Sequence, residues 1–273
     1  MHRIASSFSS RPQAALTKQR LCLLVLASSL SHSQSLPFRT RGGKGDEGEK
    51  GNHRVEVLDA IVEGNADVVR MKPSHGTPRR MDFVEEFFGG NLESLDLQQQ
   101  IKSRAKNMTN FLVQTRRTLH RHPELMYQEE QTSQVIQQVL KELDIPFTTG
   151  WALNAHPEEV PGKGGYGIVA DIGTGKPPCV LLRADIDALP ILERTEGIED
   201  FKSREDGTMH ACGHDGHTTM LLGALTMLKE MEDSLNGTIR VMFQPAEEGG
   251  AGAKRMREEG LLDMEPKPQY AFG

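Results

Sequence analysis

The fold of this chain is decided by the stretch Val180-Leu181-Leu182-Arg183-Ala184-Asp185, a nearly continuous apolar run that ends in charge. A strand that is apolar on both faces is typical of the centre of an α/β sheet, because helices cover such a sheet on both sides. Residues 167–172 and 238–243 have the same strand-like character. Apolar residues at helical spacing predict helices over 101–118, 135–143 and 220–231. The alternation predicts an α/β fold with a mixed or mainly parallel sheet and flanking helices.

The sequence before this globular part has a different composition. The first 45 residues hold seven Lys/Arg and no Asp or Glu, and they include the apolar run 21–27. That run is shorter than the roughly 20 residues that cross a bilayer, so we expect no stable membrane span. It fits a secretory signal, whereas the Arg- and Ser-rich, acid-free surroundings also fit an organelle transit peptide. We predict a targeting leader over 1–40, with the secretory pathway ahead of a plastid or mitochondrion.

Two further segments follow the leader. Residues 41–96 are polar, glycine-rich and mixed in charge, which predicts a disordered linker. Residues 97–273 carry the strand and helix patterns and are predicted to form the globular domain.

Overall composition excludes some classes of partner. The formal net charge is −6 and aromatic residues make up 5% of the chain, so neither a basic surface nor a stacking platform for nucleic acid is expected. The three cysteines lie far apart, which does not fit a disulfide framework.

The densest cluster of metal-binding residue types is His210-Ala211-Cys212-Gly213-His214-Asp215-Gly216-His217. Cys212 and His214 are two residues apart, so in an extended or turning segment both side chains can reach one site. Thiolate and imidazole are ligands of borderline-soft divalent metals, and we predict that both residues bind metal. The alternative is a catalytic or redox cysteine without a metal.

Two adjacent carboxylates, Glu247 and Glu248, follow the predicted strand 238–243. Adjacent side chains diverge, so one carboxylate can bind a metal. The other can then take a proton from the attacking water and return it to the leaving amine. The alternative is a solvated acidic turn.

Residues that support the metal ligands are predicted from the hydrogen-bond partners that metal-bound imidazoles usually have. Such rings are usually oriented by a carboxylate or a carbonyl, and Asp185 and Asp215 are the candidates. His217, at the start of a predicted helix, is expected to be structural or to support the site from behind the ligands. Because functional groups gather at the carboxyl ends of strands, residues 185–187 and the two glutamates are expected to share one cleft.

Four runs in order, 116–125, 183–191, 210–217 and 244–253, resemble the successive signatures of the M20 peptidase family. The similarity covers about 112–273. It is greatest to the amidohydrolase subgroup that includes plant auxin-conjugate (indole-acetyl-amino acid) hydrolases, hippurate hydrolase and N-acyl-amino acid deacylases.

The resemblance implies a di-metal α/β catalytic domain. It implies that Cys212, His214 and Glu248 bind metal, that Glu247 is the general base, and that the small-molecule substrate is an N-acyl amino acid cleaved at its amide. The resemblance implies manganese, zinc, nickel or cobalt as the metal, and a thiolate ligand favours the last three over manganese.

The family pattern extends beyond a Phe-Gly like Phe272-Gly273, with a His ligand, an inserted lid or dimerisation domain and a further His ligand. This chain supplies three of the about five protein ligands that a two-metal site needs. We therefore expect residues 97–273 to be the N-terminal part of such a domain, and a homodimer only where the inserted domain is present.

Two alternatives stay open at this point. One is a catalytically inactive remnant that binds a metal or a partner. The other is an aminopeptidase or carboxypeptidase of the same fold, against which the cysteine-containing motif argues by resemblance.

Overall fold

The computed structural model of the protein describes residues 57–58, 68–69 and 95–273. The predicted leader over 1–40 lies outside the described residues, and so does most of the predicted linker over 41–96. Helices are α1 Leu95–Asn107, α2 Thr109–Arg121, α3 Glu130–Glu142, α4 His214–Lys229 and α5 Gly252–Glu258. Strands are β1 Val57–Leu58, β2 Val68–Val69, β3 Phe147–Leu153, β4 Gly164–Gly173, β5 Cys179–Asp185, β6 Thr238–Gln244 and β7 Tyr270–Phe272.

One mixed sheet runs through the domain in the order β1-β2-β7-β5-β6-β4-β3. β5 pairs in parallel with both β6 and β7, whereas β4 pairs antiparallel with β6 and with β3. The predicted α/β fold with a mixed sheet is confirmed. Its parallel pairing is centred on β5, the strand that the apolar run predicts to be central.

Helices cover both faces of the sheet, because its central strands carry apolar side chains on both faces. Val180 and Leu182 of β5 pack in a cluster with α3 and α4, and Leu181 between them packs in a second cluster with Met256 of α5. All seven residues of β6 are buried. Burial on two faces explains the nearly continuous apolar runs of these strands.

Helix boundaries differ from the sequence prediction in three places. The helix predicted over 135–143 begins five residues earlier, at Glu130. The predicted helix 101–118 is two helices, and Met108 between them is buried against Ala224 and Met227 of α4. The helix predicted over 220–231 starts six residues earlier, at His214. Its first turns are polar and carry no apolar pattern, because they pack on polar groups: Thr218 Oγ1 donates to the main-chain oxygen of Asp185 at 3.0 Å.

In the part of the chain that the structure describes, no helix has the length and the apolar character that crossing a membrane requires.

Among the described residues, Arg240 of β6 is the largest fully buried side chain. Its Nε and Nη2 donate to the two carboxylate oxygens of Asp171 at 2.9 and 2.8 Å, and its Nη1 donates to the main-chain oxygen of Met264 at 2.9 Å. The side chain therefore joins β6, β4 and the segment before β7 through charge-assisted hydrogen bonds.

We predict that Arg240→Met lowers the free energy of unfolding by about 2 kcal/mol, because the half-buried carboxylate of Asp171 and the main-chain oxygen of Met264 lose their hydrogen bonds to a buried guanidinium. Lys254→Met is the control: Lys254 is exposed and lies 3.8 Å from Glu258, and breaking such a pair costs about 1 kcal/mol or less. Urea denaturation measures both variants. Equal effects of the two substitutions would contradict the structural role of Arg240.

Candidate metal centre

The site lies where β5 and β6 end side by side. Asp185 and Gln244, the last residues of the two strands, are opposite each other in the parallel register. The chain segments that follow them carry Asp187, Glu247 and Glu248, and all leave the sheet at this edge. The N-terminus of α4 brings His214 to the same place, where its Nε2 lies 3.7 Å from carboxylate oxygens of Asp185, Glu247 and Glu248.

Three side chains offer a metal one donor atom each. Cys212, His214 and Glu248 have donor atoms that all lie within 4.8 Å of one another. Gly213 turns the chain between the first two with a φ of 92°, in the left-handed region that favours glycine. The structure therefore brings together the three residues that the sequence predicts to be ligands.

The ring of His214 is oriented by Asp187. Its Nδ1 lies 2.9 Å from the main-chain oxygen of Asp187 and 3.2 Å from Oδ1 of the same residue. A main-chain oxygen only accepts, so Nδ1 carries the hydrogen and the lone pair is on Nε2, which faces the carboxylates. The other carboxylate oxygen of Asp187 accepts the N–H of Glu248 at 2.9 Å. Asp187 thus positions two of the three candidate ligands.

Sequence reasoning gave Asp187 no role of its own. The sequence did contain one signal for Asp187. It lies two residues after Asp185 at the end of a predicted strand, which is the same spacing as that between Cys212 and His214. This spacing does not reveal that the main-chain oxygen of Asp187, as well as its carboxylate, contacts the imidazole of His214.

The residues fit a divalent metal on three observations. Oε1 of Glu248 is buried and makes no hydrogen bond among the described residues. Desolvation of the thiol first, and then the nearby carboxylates led by Glu248, raise the pKa of Cys212 to about 11, although the residue as a whole is exposed. Burial alone would lower the pKa of His214, but its bond to Asp187 and the surrounding carboxylates raise it. Thiolate, imidazole and carboxylate together suit zinc, nickel or cobalt.

A second group of donors lies beside the first. Donor atoms of Asp185, His214 and His217 also fall within 4.8 Å of one another. Asp185 bonds to His217 Nδ1 at 2.7 Å and pairs with Arg183 at 3.1 Å. Burial would raise the pKa of Asp185, but these partners lower it overall. Since His214 has one free lone pair, on Nε2, it can bind a metal either with Cys212 and Glu248 or with Asp185 and His217, but not with both groups at once.

The predicted supporting residues Asp185, Asp215 and His217 have different hydrogen-bond partners in the structure. Asp185 partners His217, the third supporting candidate, rather than orienting His214. The carboxylate of Asp215 accepts from Arg116 Nε at 3.0 Å and bonds to His120 Nδ1 at 2.8 Å. Neither partner is among the grouped donors. The expected role of Asp215 in orienting a ligand imidazole therefore does not match these contacts, which tie α2 to the first turn of α4.

Glu129 is a buried acid that the sequence did not single out. Its Oε1 accepts the N–H of Tyr127 at 3.0 Å and the N–H of Ala246 at 2.8 Å. Burial raises the pKa of its carboxyl to about 8. In the sequence, Glu129 is indistinguishable from a surface acid at the start of a helix, since only the tertiary fold brings Ala246 to it.

Comparison with known proteins gives consistent matches. Residues 181–273 match the family described as "Peptidase family M20/M25/M40". The chain is 47% identical over 161 residues to "IAA-amino acid hydrolase ILR1-like 2" of Arabidopsis thaliana, a match that covers 59% of this chain and 33% of that protein. It is 45% identical over 170 residues to "N-acetyl-L-cysteine deacetylase" of Bacillus subtilis, covering 59% of this chain and 38% of the relative.

A third relative carries a different name. The chain is 42% identical over 182 residues to "Thermostable carboxypeptidase 2" of Saccharolobus solfataricus, covering 66% of this chain and 42% of that protein. The chain thus spans about a third to two fifths of the length of these relatives.

We predict that Glu129→Gln changes how the stability of the metal-free protein depends on pH. The carboxyl pKa is raised from 4.5 to about 8 in the folded state, so the folded protein holds a proton that the unfolded chain has released. That stabilisation is complete below the unfolded value and is lost as the pH rises through the folded one. The wild type should therefore lose stability relative to Glu129→Gln between these values, by up to about 1.4 kcal/mol per pH unit.

The measurement is urea denaturation of both proteins in chelator at several pH values across that window. Parallel stability curves for the two proteins would contradict the burial of a protonated carboxyl at this position.

Proposed function

We propose that this protein hydrolyses the amide bond of N-acyl amino acids in a metal-dependent reaction, because residues 181–273 match the family described as "Peptidase family M20/M25/M40". The observation that carries the proposal is the grouping of Cys212, His214 and Glu248 around one point, with Glu247 beside it. The names of two relatives, a hydrolase of IAA-amino acids and a deacetylase of N-acetyl-L-cysteine, support this class of substrate.

In this proposal Cys212, His214 and Glu248 hold a divalent metal. A bound metal would polarise the amide carbonyl and make a water molecule more acidic. We propose two divalent ions by resemblance to the family, zinc or manganese with cobalt or nickel as alternatives. The thiolate of Cys212 favours zinc, cobalt or nickel over manganese for the ion that it binds. The three grouped side chains are enough to hold one of the two.

The two adjacent glutamates differ in exposure, and this difference supports their different roles. The side chain of Glu247 is 39% exposed, whereas that of Glu248 is 22% exposed and has a buried oxygen. The more exposed carboxylate can meet the attacking water, accept its proton and later give it to the leaving amine. The more buried carboxylate is suited to a fixed ligand position.

A second candidate function is carboxypeptidase activity, because one relative bears that name at 42% identity. A panel of N-acyl amino acids set against free dipeptides of the same residues separates the two functions. Preferred release of amino acids from the acylated compounds supports the amidohydrolase, and preferred cleavage of free dipeptides supports the peptidase. Metal binding without turnover on either panel would support the inactive metal-binding alternative.

We predict opposite effects of two substitutions in this site. Cys212→Ala should weaken zinc binding at least about tenfold, since removing a ligand removes a metal bond. Glu247→Gln should keep the zinc and reduce any turnover by about 10²- to 10⁴-fold, since it removes a proton acceptor. Zinc is measured by elemental analysis after dialysis, and turnover by the release of free amino acid from the panel.

The control is the wild type treated with a chelator and then reloaded with zinc. Full turnover by Glu247→Gln would show that the general base has been assigned to the wrong residue. Unchanged zinc content in Cys212→Ala would remove Cys212 from the site.

A further inference from the structure

The loop that carries Glu247 and Glu248 is hydrogen-bonded to residues 127–129, the short segment before α3. Glu129 Oε1 accepts the N–H of Ala246, the residue immediately before the two glutamates, at 2.8 Å. Tyr127 donates its hydroxyl hydrogen to the main-chain oxygen of Gly250, two residues after them. The loop is therefore fixed on both sides of its functional pair.

Both ends of this contact have unusual backbone conformations. Ala246 has a φ of 53° and Tyr127 a φ of 62°, in the left-handed region that side chains other than glycine seldom adopt. Such a conformation is unfavourable and persists only where its surroundings impose it. Both N–H groups donate to the same oxygen of Glu129, so a single carboxyl stabilises both turns.

Close packing at the loop leaves little room for another arrangement. A Cβ added to Gly250 would lie 2.6 Å from Cβ of Ala246 and 2.8 Å from Cε2 of Tyr127. Ala246 and Glu129 are both fully buried. Small movements of Ala246 would thus be passed directly to Glu247 and Glu248, because the loop cannot absorb them by repacking.

We propose that Glu129 is a positioning residue for the metal centre, which by holding Ala246 keeps Glu248 in place as a ligand and Glu247 beside it. The proposal rests on the proposed metal-dependent function. Glu129 is not itself among the side chains grouped as donors; it acts through the backbone of the loop.

What the position requires is an acceptor of the right length rather than a negative charge. The second oxygen of Glu129, Oε2, is buried and has no hydrogen-bond partner among the described residues. Glutamine has the same length and keeps an oxygen acceptor, aspartate is one methylene shorter, and methionine has a similar length with no strong acceptor. This series separates the hydrogen bonds from charge and from volume.

Glu124→Met supplies the matched control. Glu124 is also a carboxylate that accepts backbone N–H groups at the start of α3, from Gln131 at 3.0 Å and Thr132 at 2.8 Å. Removing the Glu124 carboxylate disturbs the same N-terminus of α3 but leaves the hydrogen bond of Ala246 to Glu129 in place. An effect that arises from general damage to α3 should therefore appear in both Glu129→Met and Glu124→Met.

The test is a Co²⁺ titration of the full chain and of each variant, followed by the cobalt–thiolate absorption and by competition with a chromophoric chelator. Urea denaturation of the metal-free proteins gives the folded fraction, to which each affinity is referred. We expect Glu129→Met to weaken Co²⁺ binding about tenfold or more and Glu129→Asp to weaken it measurably. Glu129→Gln and Glu124→Met should stay within about twofold of the wild type.

Each alternative outcome has a defined meaning. If Glu129→Met does not fold, the comparison of Glu129→Asp with Glu129→Gln decides. Wild-type affinity in Glu129→Asp, or in a folded Glu129→Met, overturns the positioning role and leaves the metal site intact. Equal weakening in Glu129→Gln or in Glu124→Met also overturns it. A wild-type chain that binds no Co²⁺ overturns the metal site, and this inference with it.

Discussion

The parallel pairing of β5 with β6 is the constraint on which the site depends. It sets Asp185 opposite Gln244, and the pairing continues one step further, because Ile186 N donates to the main-chain oxygen of Gln244 at 3.0 Å. Asp187 and Glu248 therefore leave the sheet close enough for the backbone of one to bond the carboxylate of the other. A shift of the register by one residue would turn the strand-end side chains to the opposite face.

The same pairing concentrates negative charge. Carboxylates of Asp185, Asp187, Glu247 and Glu248 meet at one edge. Among the described residues, Arg183 is the permanently charged cation that pairs with one of them, and the imidazoles of His214 and His217 lie beside them. Like charges at such separations repel, and this repulsion destabilises a metal-free site. A divalent cation offsets it directly. The unpartnered oxygen of Glu248 is one consequence of this excess of acceptors, which also adds to the desolvation that raises the pKa of Cys212.

Much of the fold could be predicted from the sequence because the central strands are buried on both faces and α3 and α4 have apolar faces at helical spacing. Cys212, His214 and Glu248 could be proposed because their residue types are rare in combination and their spacing suits one site. The edge strand β3 could not be predicted from the sequence, since it is mostly exposed and its pairing with β4 is interrupted by register shifts. Asp187 and Glu129 act through backbone groups that only the tertiary fold brings to them, and no local pattern marks such a role.

Diffraction from a crystal of the zinc-loaded chain, measured on both sides of the zinc absorption edge, decides whether Cys212, His214 and Glu248 hold a metal. We expect an anomalous peak about 2.3 Å from Cys212 Sγ and about 2.0–2.2 Å from His214 Nε2 and a Glu248 oxygen. A peak held by Asp185 and His217 with Cys212 unbound, or no peak at this edge of the sheet, would contradict it.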